Sequence, residues 1–211
     1  MEFEFTKEHE ELRREVDEVL EQHLKLGNFR IFTDGWKRQR HSEGIRKLSQ
    51  EMADHGWCGM TWPKEYGGQG RTYLERLIVT EECLKYSVIP TWFIGDRQMG
   101  PSIIKFGSEE QKGFFLPKLA RGELTFAIGM SEPEAGSDLA SVKTLAIEKN
   151  DHFLVNGQKV WTSGAAYADY LYMIARTDPN ELGGRGISEF IVDLKLPGIE
   201  VRTIESMSGI R

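Results

Sequence analysis

The sequence is poor in the residues that build disulfide frameworks and metal centres. Two cysteines in 211 residues, Cys58 and Cys83, are too few for a disulfide scaffold, and no Cys-x-x-Cys pair is present. The five histidines lie far apart, and none of them begins a His-x-x-x-His pair. We therefore expect no metal site, and the low cysteine content indicates a reducing, cytoplasmic compartment.

Long apolar runs and an excess of basic charge are also missing. No stretch approaches the ~18 apolar residues of a membrane-spanning helix, and residues 1–5 carry acid where a secretory signal is basic. The 27 Lys and Arg against 33 Asp and Glu give a net charge of −6, which provides no electrostatic footprint for nucleic acid. We expect neither a membrane nor a nucleic acid as partner.

The chain also lacks the glycine motif of Rossmann-type nucleotide-binding folds. Its two glycine-rich stretches, residues 67–70 and 183–186, do not match Gly-x-Gly-x-x-Gly, and neither lies between a buried strand and a helix. Both are interpreted as turns.

Hydrophobic periodicity divides the chain into a helical part and a β part. Thr6 is a candidate N-cap for a first helix, and Ser108 with Gln111 matches a capping box whose helix Pro117 should kink or split. From about Thr125 the period changes to two, with short strands, the last at residues 199–201, and no helices between them. We predict an α+β multidomain chain: an N-terminal all-α helical domain, 1–122, followed by an incomplete, antiparallel β-barrel-like domain, 123–211.

The segment GMSEPEAGSDLAS, residues 129–141, is the main candidate for chemistry. Pro133 and Gly136 force a tight loop, while Ser131, Ser137 and Ser141 supply hydroxyls beside exposed backbone N–H groups. Such a loop could bind a pyrophosphate, but from the residues alone an ordinary turn with local caps is favoured. By position alone Trp161 is likewise best interpreted as a core tryptophan.

Two elements together resemble the acyl-CoA dehydrogenase family. Every constrained position of the family signature fits residues 129–141, and the family's Lys-x-Trp-x-Ser/Thr element is found at residues 159–163. Supporting elements follow in the family's order, among them Trp-Pro-Lys-Glu-Tyr-Gly-Gly at residues 62–68. The resemblance spans essentially the whole chain.

This resemblance implies that FAD is held without a Rossmann fold, by the helical and β domains together. The implied cofactor-binding residues are Ile128, Gly129, Met130, Ser131, Ser137, Trp161, Thr162 and Ser163. Ile128 and Gly129 would line the flavin with backbone groups, and Met130 would pack nearby. Ser137 and Met99 are the implied substrate-binding residues.

The resemblance also implies separate roles for the polar and aromatic residues. Ser131 would hydrogen-bond the pyrimidine side of the flavin, and Ser137 would reach the pyrophosphate or the CoA phosphates. Trp161 would lie against the flavin, with Thr162 and Ser163 at the edge that carries the hydride-accepting nitrogen. Neutral donors suit this place because reduction puts negative charge on the pyrimidine ring.

The implied reaction is α,β-dehydrogenation of an acyl-CoA thioester in fatty acid metabolism. Electrons would pass to an electron-transfer flavoprotein, and the enzyme would be a homo-oligomer, a tetramer or a dimer, or a heteromer. In the family the base is a Glu of a third, C-terminal helical domain, so no acid of these residues inherits the role. The structural or capping candidates are Glu81, Glu82, Glu132 and Asp138. We expect a truncated enzyme that binds FAD weakly and lacks turnover.

The substrate and the exact activity are open at this stage. Trp92, Phe93 and Met99 are either acyl-pocket or core residues, whereas Trp57 and Trp62 are expected in the core. Within the family, residues 62–68, 161–163 and 176–179 resemble bacterial enzymes for bulky or branched acyl-CoAs, including steroid side chains, more than straight-chain mitochondrial enzymes. The alternatives are a non-catalytic or heteromeric flavoprotein subunit, or an acyl-CoA oxidase, which differs in how fast its reduced flavin reacts with oxygen.

Overall fold

The computed structural model describes residues 4–30, 42–181 and 183–205, which divide into two compact units. The first unit extends to Thr125 and takes in residues 203–205, and the second is Phe126–Arg202. Among the described residues, no helix has the length and apolar character needed to cross a bilayer. The domain limits 1–122 and 123–211 stay a proposal.

The first unit is helical. Its helices are α1 (Lys7–Lys25), α2 (Glu43–Asp54), α3 (Tyr73–Lys85), α4 (Gly100–Phe106) and α5 (Glu109–Ala120), with a π-helical turn at Gly95–Met99 before α4. The predicted caps are confirmed, since Thr6 and Ser108 each accept a hydrogen bond from the third residue of their helix. Pro117 does not split α5, which runs on for three more residues although the proline lacks the N–H for one helical hydrogen bond.

A large apolar cluster forms part of the core of this unit. Its members include Val16 and Leu20 of α1, both fully buried. Trp57 and Trp62 are 1% and 2% exposed, which confirms them as core residues. The Trp62 indole N–H donates to the Asp96 carbonyl oxygen at 3.0 Å, so its polar atom is satisfied inside the core.

The second unit is built on a five-stranded sheet. Its strands are β1 (Phe126–Gly129), β2 (Leu145–Glu148), β3 (Phe153–Asn156), β4 (Tyr170–Arg176) and β5 (Ile187–Asp193). The order is β1-β4-β2-β3, with β5 also paired to β4. Strands β2 and β3 form a hairpin, and β5 runs antiparallel to β4. Strand β4 is therefore the centre of the sheet.

The predicted order of a helical domain followed by a β domain is confirmed, but the sheet is mixed and open, not antiparallel and barrel-like. β1 pairs with β4 in parallel, Gly129 opposite Met173, and β2 meets β4 in parallel at Leu145 and Arg176. A parallel pair needs a long crossover, which is usually a helix. Here residues 130–169 make the crossover with loops and the β2–β3 hairpin, so no helical pattern marked it. In the described part of the chain the sheet is open, and residues 199–201 form no strand.

Candidate functional site

A tight loop follows strand β1, as Pro133 predicts. Glu132 and Ala135 exchange backbone hydrogen bonds of 2.7 and 3.2 Å, which leaves Pro133 and Glu134 exposed at the tip. Residues 130–132, here called the strand-exit segment, stand at the base of this loop. Met130 and Ser131 are half-buried and Glu132 is buried.

The second candidate element, residues 159–163, lies beside the first and is here called the tryptophan segment. The Val160 backbone N–H donates to the Ser131 carbonyl oxygen at 2.9 Å. Trp161 has a left-handed φ of +59° and a side chain that is 74% exposed. A left-handed backbone is unfavourable for a bulky residue, so the surrounding contacts must impose it.

A buried ion pair connects the two segments. The Lys159 Nζ lies 2.8 Å from Glu132 Oε1 and 3.1 Å from the Met130 carbonyl oxygen. Both side chains are less than a tenth exposed. The other contacts of the carboxylate come from the backbone that leads into β2, because the N–H groups of Lys143 and Thr144 donate to it at 2.6 and 3.0 Å.

These contacts decide the charge of Glu132. Burial alone would raise the pKa of this carboxyl, but the hydrogen bonds from Lys159, Thr144 and Lys143 outweigh it and lower the pKa to about 2. Glu132 is therefore ionised at neutral pH and fully engaged. This result agrees with its assignment as a structural residue.

The absence of a side chain at Gly129 allows Lys159 to reach this position. A Cβ at Gly129 would lie 3.3 Å from Lys159 Cγ and 3.1 Å from Leu171 Cδ1, closer than most Cβ contacts in proteins. The stem of Lys159 thus packs directly on the end of β1. A larger residue would displace either Lys159 or Leu171.

The end of the β1–β2 loop nearer to β2 is held by Arg176, the last residue of β4. Its guanidinium donates to the carbonyl oxygens of Ala140 at 2.7 Å and Val142 at 3.2 Å. The Arg176 backbone N–H also donates to the Thr144 carbonyl oxygen at 2.7 Å. The loop between β1 and β2 is consequently anchored to the sheet at both ends.

The structure brings together most, but not all, of the predicted cofactor residues. Ile128 and Gly129 end β1, and residues 130–131 and 161–163 follow in the two adjoining segments. Ser137 lies farther along the loop, exposed, and in the described residues no hydrogen bond joins it to either segment. Its role at a phosphate stays a prediction.

Met99, the predicted substrate residue, belongs to the helical unit. It is 1% exposed, and it does not line the cavity of about 70 Å³ that Trp92, Phe93 and Asp96 help to enclose. Asp96 in that cavity is buried, which raises the pKa of its carboxyl, and Gly59 N–H donates to Oδ1 at 2.8 Å. A substrate role for Met99 stays a prediction.

The sequence did not reveal the Glu132–Lys159 pair or the Arg176 clamp. Glu132 and Lys159 each belong to a recognised motif, but nothing in their spacing indicated that the motifs contact each other. Among the described residues, no group of three His, Cys, Asp or Glu is arranged to hold a metal ion.

Both units match models of one protein family. Residues 6–123 match the acyl-CoA dehydrogenase N-terminal domain, and residues 127–211 match the acyl-CoA dehydrogenase middle domain. The chain belongs to the acyl-CoA dehydrogenase family. The matches place the strand-exit and tryptophan segments in the middle domain of that family.

Similar proteins support this membership. Acyl-CoA dehydrogenase FadE26 of Mycobacterium tuberculosis is 38% identical over 212 residues, covering 99% of this chain and 53% of FadE26. The crystal structure of the ChsE4-ChsE5 complex from M. tuberculosis is similar, with a TM-score of 0.86 and 37% identity over 100% of this chain and 52% of that one. The structure of the Tcur3481-Tcur3483 steroid ACAD has a TM-score of 0.85 and 34% sequence identity, and the match covers 100% of this chain and 54% of that one. This chain spans about half the length of these relatives.

Proposed function

We propose that the protein is an FAD-dependent acyl-CoA dehydrogenase that introduces an α,β double bond into an acyl-CoA thioester. One observation carries the proposal: the hydrogen bond from Val160 to Ser131 holds the two signature segments side by side. The proposal assigns the flavin contacts at residues 130–131 and 161–163 to one surface of the middle domain.

The residues of this surface fit a flat aromatic cofactor with a polar edge. The exposed Trp161 indole offers a large apolar face, and Ser163 is exposed beside it. The Thr162 Oγ1 atom is buried and has no hydrogen-bond partner among the described residues. A buried hydroxyl without a partner is unfavourable, so a ligand that supplies one would be stabilised here.

The proposed roles of these residues follow from charge and shape. FAD, when bound, supplies the hydride acceptor of the reaction. The Ser131 and Thr162 hydroxyls would donate toward its polar edge, and each such contact is worth about 1 kcal/mol. Trp161 would cover the ring and exclude water from it.

Several acids of the two units, each considered within its own unit, are engaged in ion pairs. Glu132 is ion-paired with Lys159, and Glu134 with Lys143. Glu81 and Glu82 in the helical unit both pair with Arg13. These pairs support the proposal that the base is a Glu of the family's third domain, a part of the relatives that this chain does not cover.

We extend the proposal to substrate and partners. The similarity to a steroid ACAD supports a bulky acyl-CoA substrate, in line with the segments noted in the sequence. The similarity to the ChsE4-ChsE5 complex supports a heteromeric assembly as well as the homo-oligomer implied by the family. An electron-transfer flavoprotein as electron acceptor and a cytoplasmic location stay predictions.

The test is an FAD titration in which the visible absorbance of the flavin is monitored. We expect the wild-type chain to shift and sharpen the flavin bands, and the double variant Trp161→Ala, Ser163→Ala to lose that change. Tyr73→Ala is a matched control, because Tyr73 is 73% exposed but lies in α3. A flavin spectrum that wild-type protein leaves unchanged would contradict the proposed site. So would a double variant that shifts and sharpens the flavin bands as much as wild type does.

A further inference from the structure

The Glu132–Lys159 pair occupies a central position relative to the proposed flavin surface. Glu132 belongs to the strand-exit segment and Lys159 to the tryptophan segment, and each lies next to predicted cofactor residues in the chain. Neither side chain has enough exposure to contact a ligand directly. Any effect on a cofactor must therefore pass through the segments that the pair joins.

The pair restricts both segments. On one side, the Lys159 ammonium holds the Met130 carbonyl oxygen at 3.1 Å, which fixes the backbone just before Ser131. On the other side, anchoring Lys159 places Val160 so that its N–H reaches the Ser131 carbonyl oxygen. Trp161 follows at once, in a left-handed conformation that needs such fixed neighbours.

The pair is itself anchored to the sheet. The Glu132 carboxylate accepts hydrogen bonds from the backbone N–H groups of Lys143 and Thr144, at the entry to β2. Removing one partner would leave a buried charge without its counter-ion, and that charge would draw in water or move. The displacement would be felt at Met130, whose carbonyl oxygen accepts from Lys159, and at Val160, the next residue in the chain.

We infer that Glu132 and Lys159 are positioning residues for the flavin: their ion pair sets the spacing between Ser131 and residues 161–163. This inference rests on the proposed function, because it assigns the pair a role toward the same cofactor. An ordinary stabilising ion pair would affect unfolding alone, whereas a positioning pair also controls the local geometry and the affinity for FAD.

The chain contains a matched control for this test. Glu134 and Lys143 form a second ion pair in the same loop, but both side chains are more than two-thirds exposed. Lys159→Met and Lys143→Met each remove an ammonium group and keep an unbranched side chain. The double variant Glu132→Gln, Lys159→Met removes both buried charges, so the fold can be retained if the single variant is unstable.

The experiment combines two measurements on the 15N-labelled chain. Amide hydrogen exchange at Val160 reports the link between the segments without any cofactor, and an FAD titration reports the affinity. We expect Lys159→Met and the double variant to speed Val160 exchange and weaken FAD binding, each by about tenfold, the equivalent of one charge-assisted hydrogen bond. Lys143→Met should change neither.

The two hypotheses fail in different ways. If wild-type protein binds FAD and the double variant binds it with the same affinity and spectrum, the positioning role is wrong and the proposed function stands. Unchanged Val160 exchange in that folded variant would also overturn the positioning role. If wild-type protein shows no FAD-induced change, the proposed function fails, and with it the assignment of the pair to a flavin.

Discussion

The Val160 backbone N–H donates to the Ser131 carbonyl oxygen at 2.9 Å and joins two sequence motifs that lie 29 residues apart along the chain. Through this contact, the signature after β1 and the Lys-x-Trp element before β4 become neighbours in the middle domain. The proposed function assigns the flavin to these two segments, so local changes there should have separable effects on stability and on cofactor binding.

The left-handed backbone of Trp161 should cost stability, while its side chain should contribute to FAD binding. Its φ of +59° suits glycine, so Trp161→Gly should raise the free energy of unfolding by about 1 kcal/mol while it weakens FAD binding. Chemical denaturation and FAD titration measure the two effects. Trp161→Phe is the control, since it keeps the conformation and the aromatic ring. A Trp161→Gly variant that is less stable than wild type would contradict this prediction.

The stability contributed by Glu132 should depend on pH. Its folded pKa of about 2 lies below the usual 4.5, so the stabilisation is complete above the usual value and disappears as the pH falls toward 2. We expect Glu132→Gln to lower the free energy of unfolding by about 3 kcal/mol at pH 7. In acid this difference should shrink.

Denaturation of both proteins from pH 7 to pH 2.5 checks this expectation. Glu134→Gln serves as the reference, because Glu134 is exposed and its ion pair with Lys143 should matter little. If the free energies of unfolding of Glu132→Gln and wild type instead differ by the same amount at every pH, the carboxylate is not stabilised in its charged form.

Alanine substitution should affect stability differently at two glycines of the signature, residues 129–141. At Gly129 a Cβ would meet Lys159 and Leu171, so Gly129→Ala should lower stability by about 1 kcal/mol and disturb the strand-exit segment. At Gly136 nothing lies within 4 Å, and Gly136→Ala should change stability by less than about 0.5 kcal/mol. Thermal unfolding measures the stability of both variants. Equal losses of stability in Gly129→Ala and Gly136→Ala would argue against the packing of Lys159 on β1.

In the helical unit, Ser87 follows the C-terminal end of α3 in a strained backbone conformation. Its φ is +59°, and its buried hydroxyl oxygen has no partner among the described residues. Ser87→Gly should therefore raise the free energy of unfolding by about 1 kcal/mol. Ser87→Ala removes the hydroxyl but keeps the backbone strain, so its free energy of unfolding should rise less than that of Ser87→Gly. Equal melting temperatures for Ser87→Gly and wild type would refute the strain.

The sequence predicted local features well because their causes are local. The Thr6 and Ser108 caps depend on residues three positions apart, and the tight loop at Pro133 depends on its own backbone restriction. The order of a helical part followed by strands also follows from periodicity that can be counted along the chain.

The sheet topology and the ion pair could not be predicted in this way. The parallel pairing of Gly129 with Met173 depends on a crossover made of loops, whose path is set by contacts distant in sequence. Glu132 and Lys159 likewise meet only after that crossover has formed. The family signature pointed to these segments, but the physical link between them became visible only in three dimensions.

The most direct test of the central claim is a residue-resolved FAD titration of the 15N-labelled chain, which detects weak binding. The proposal predicts that chemical-shift changes in the middle domain concentrate at residues 128–131 and 161–163 and saturate together as one site. No shifts at millimolar FAD, or shifts in the middle domain that leave both of these segments unaffected, would contradict it.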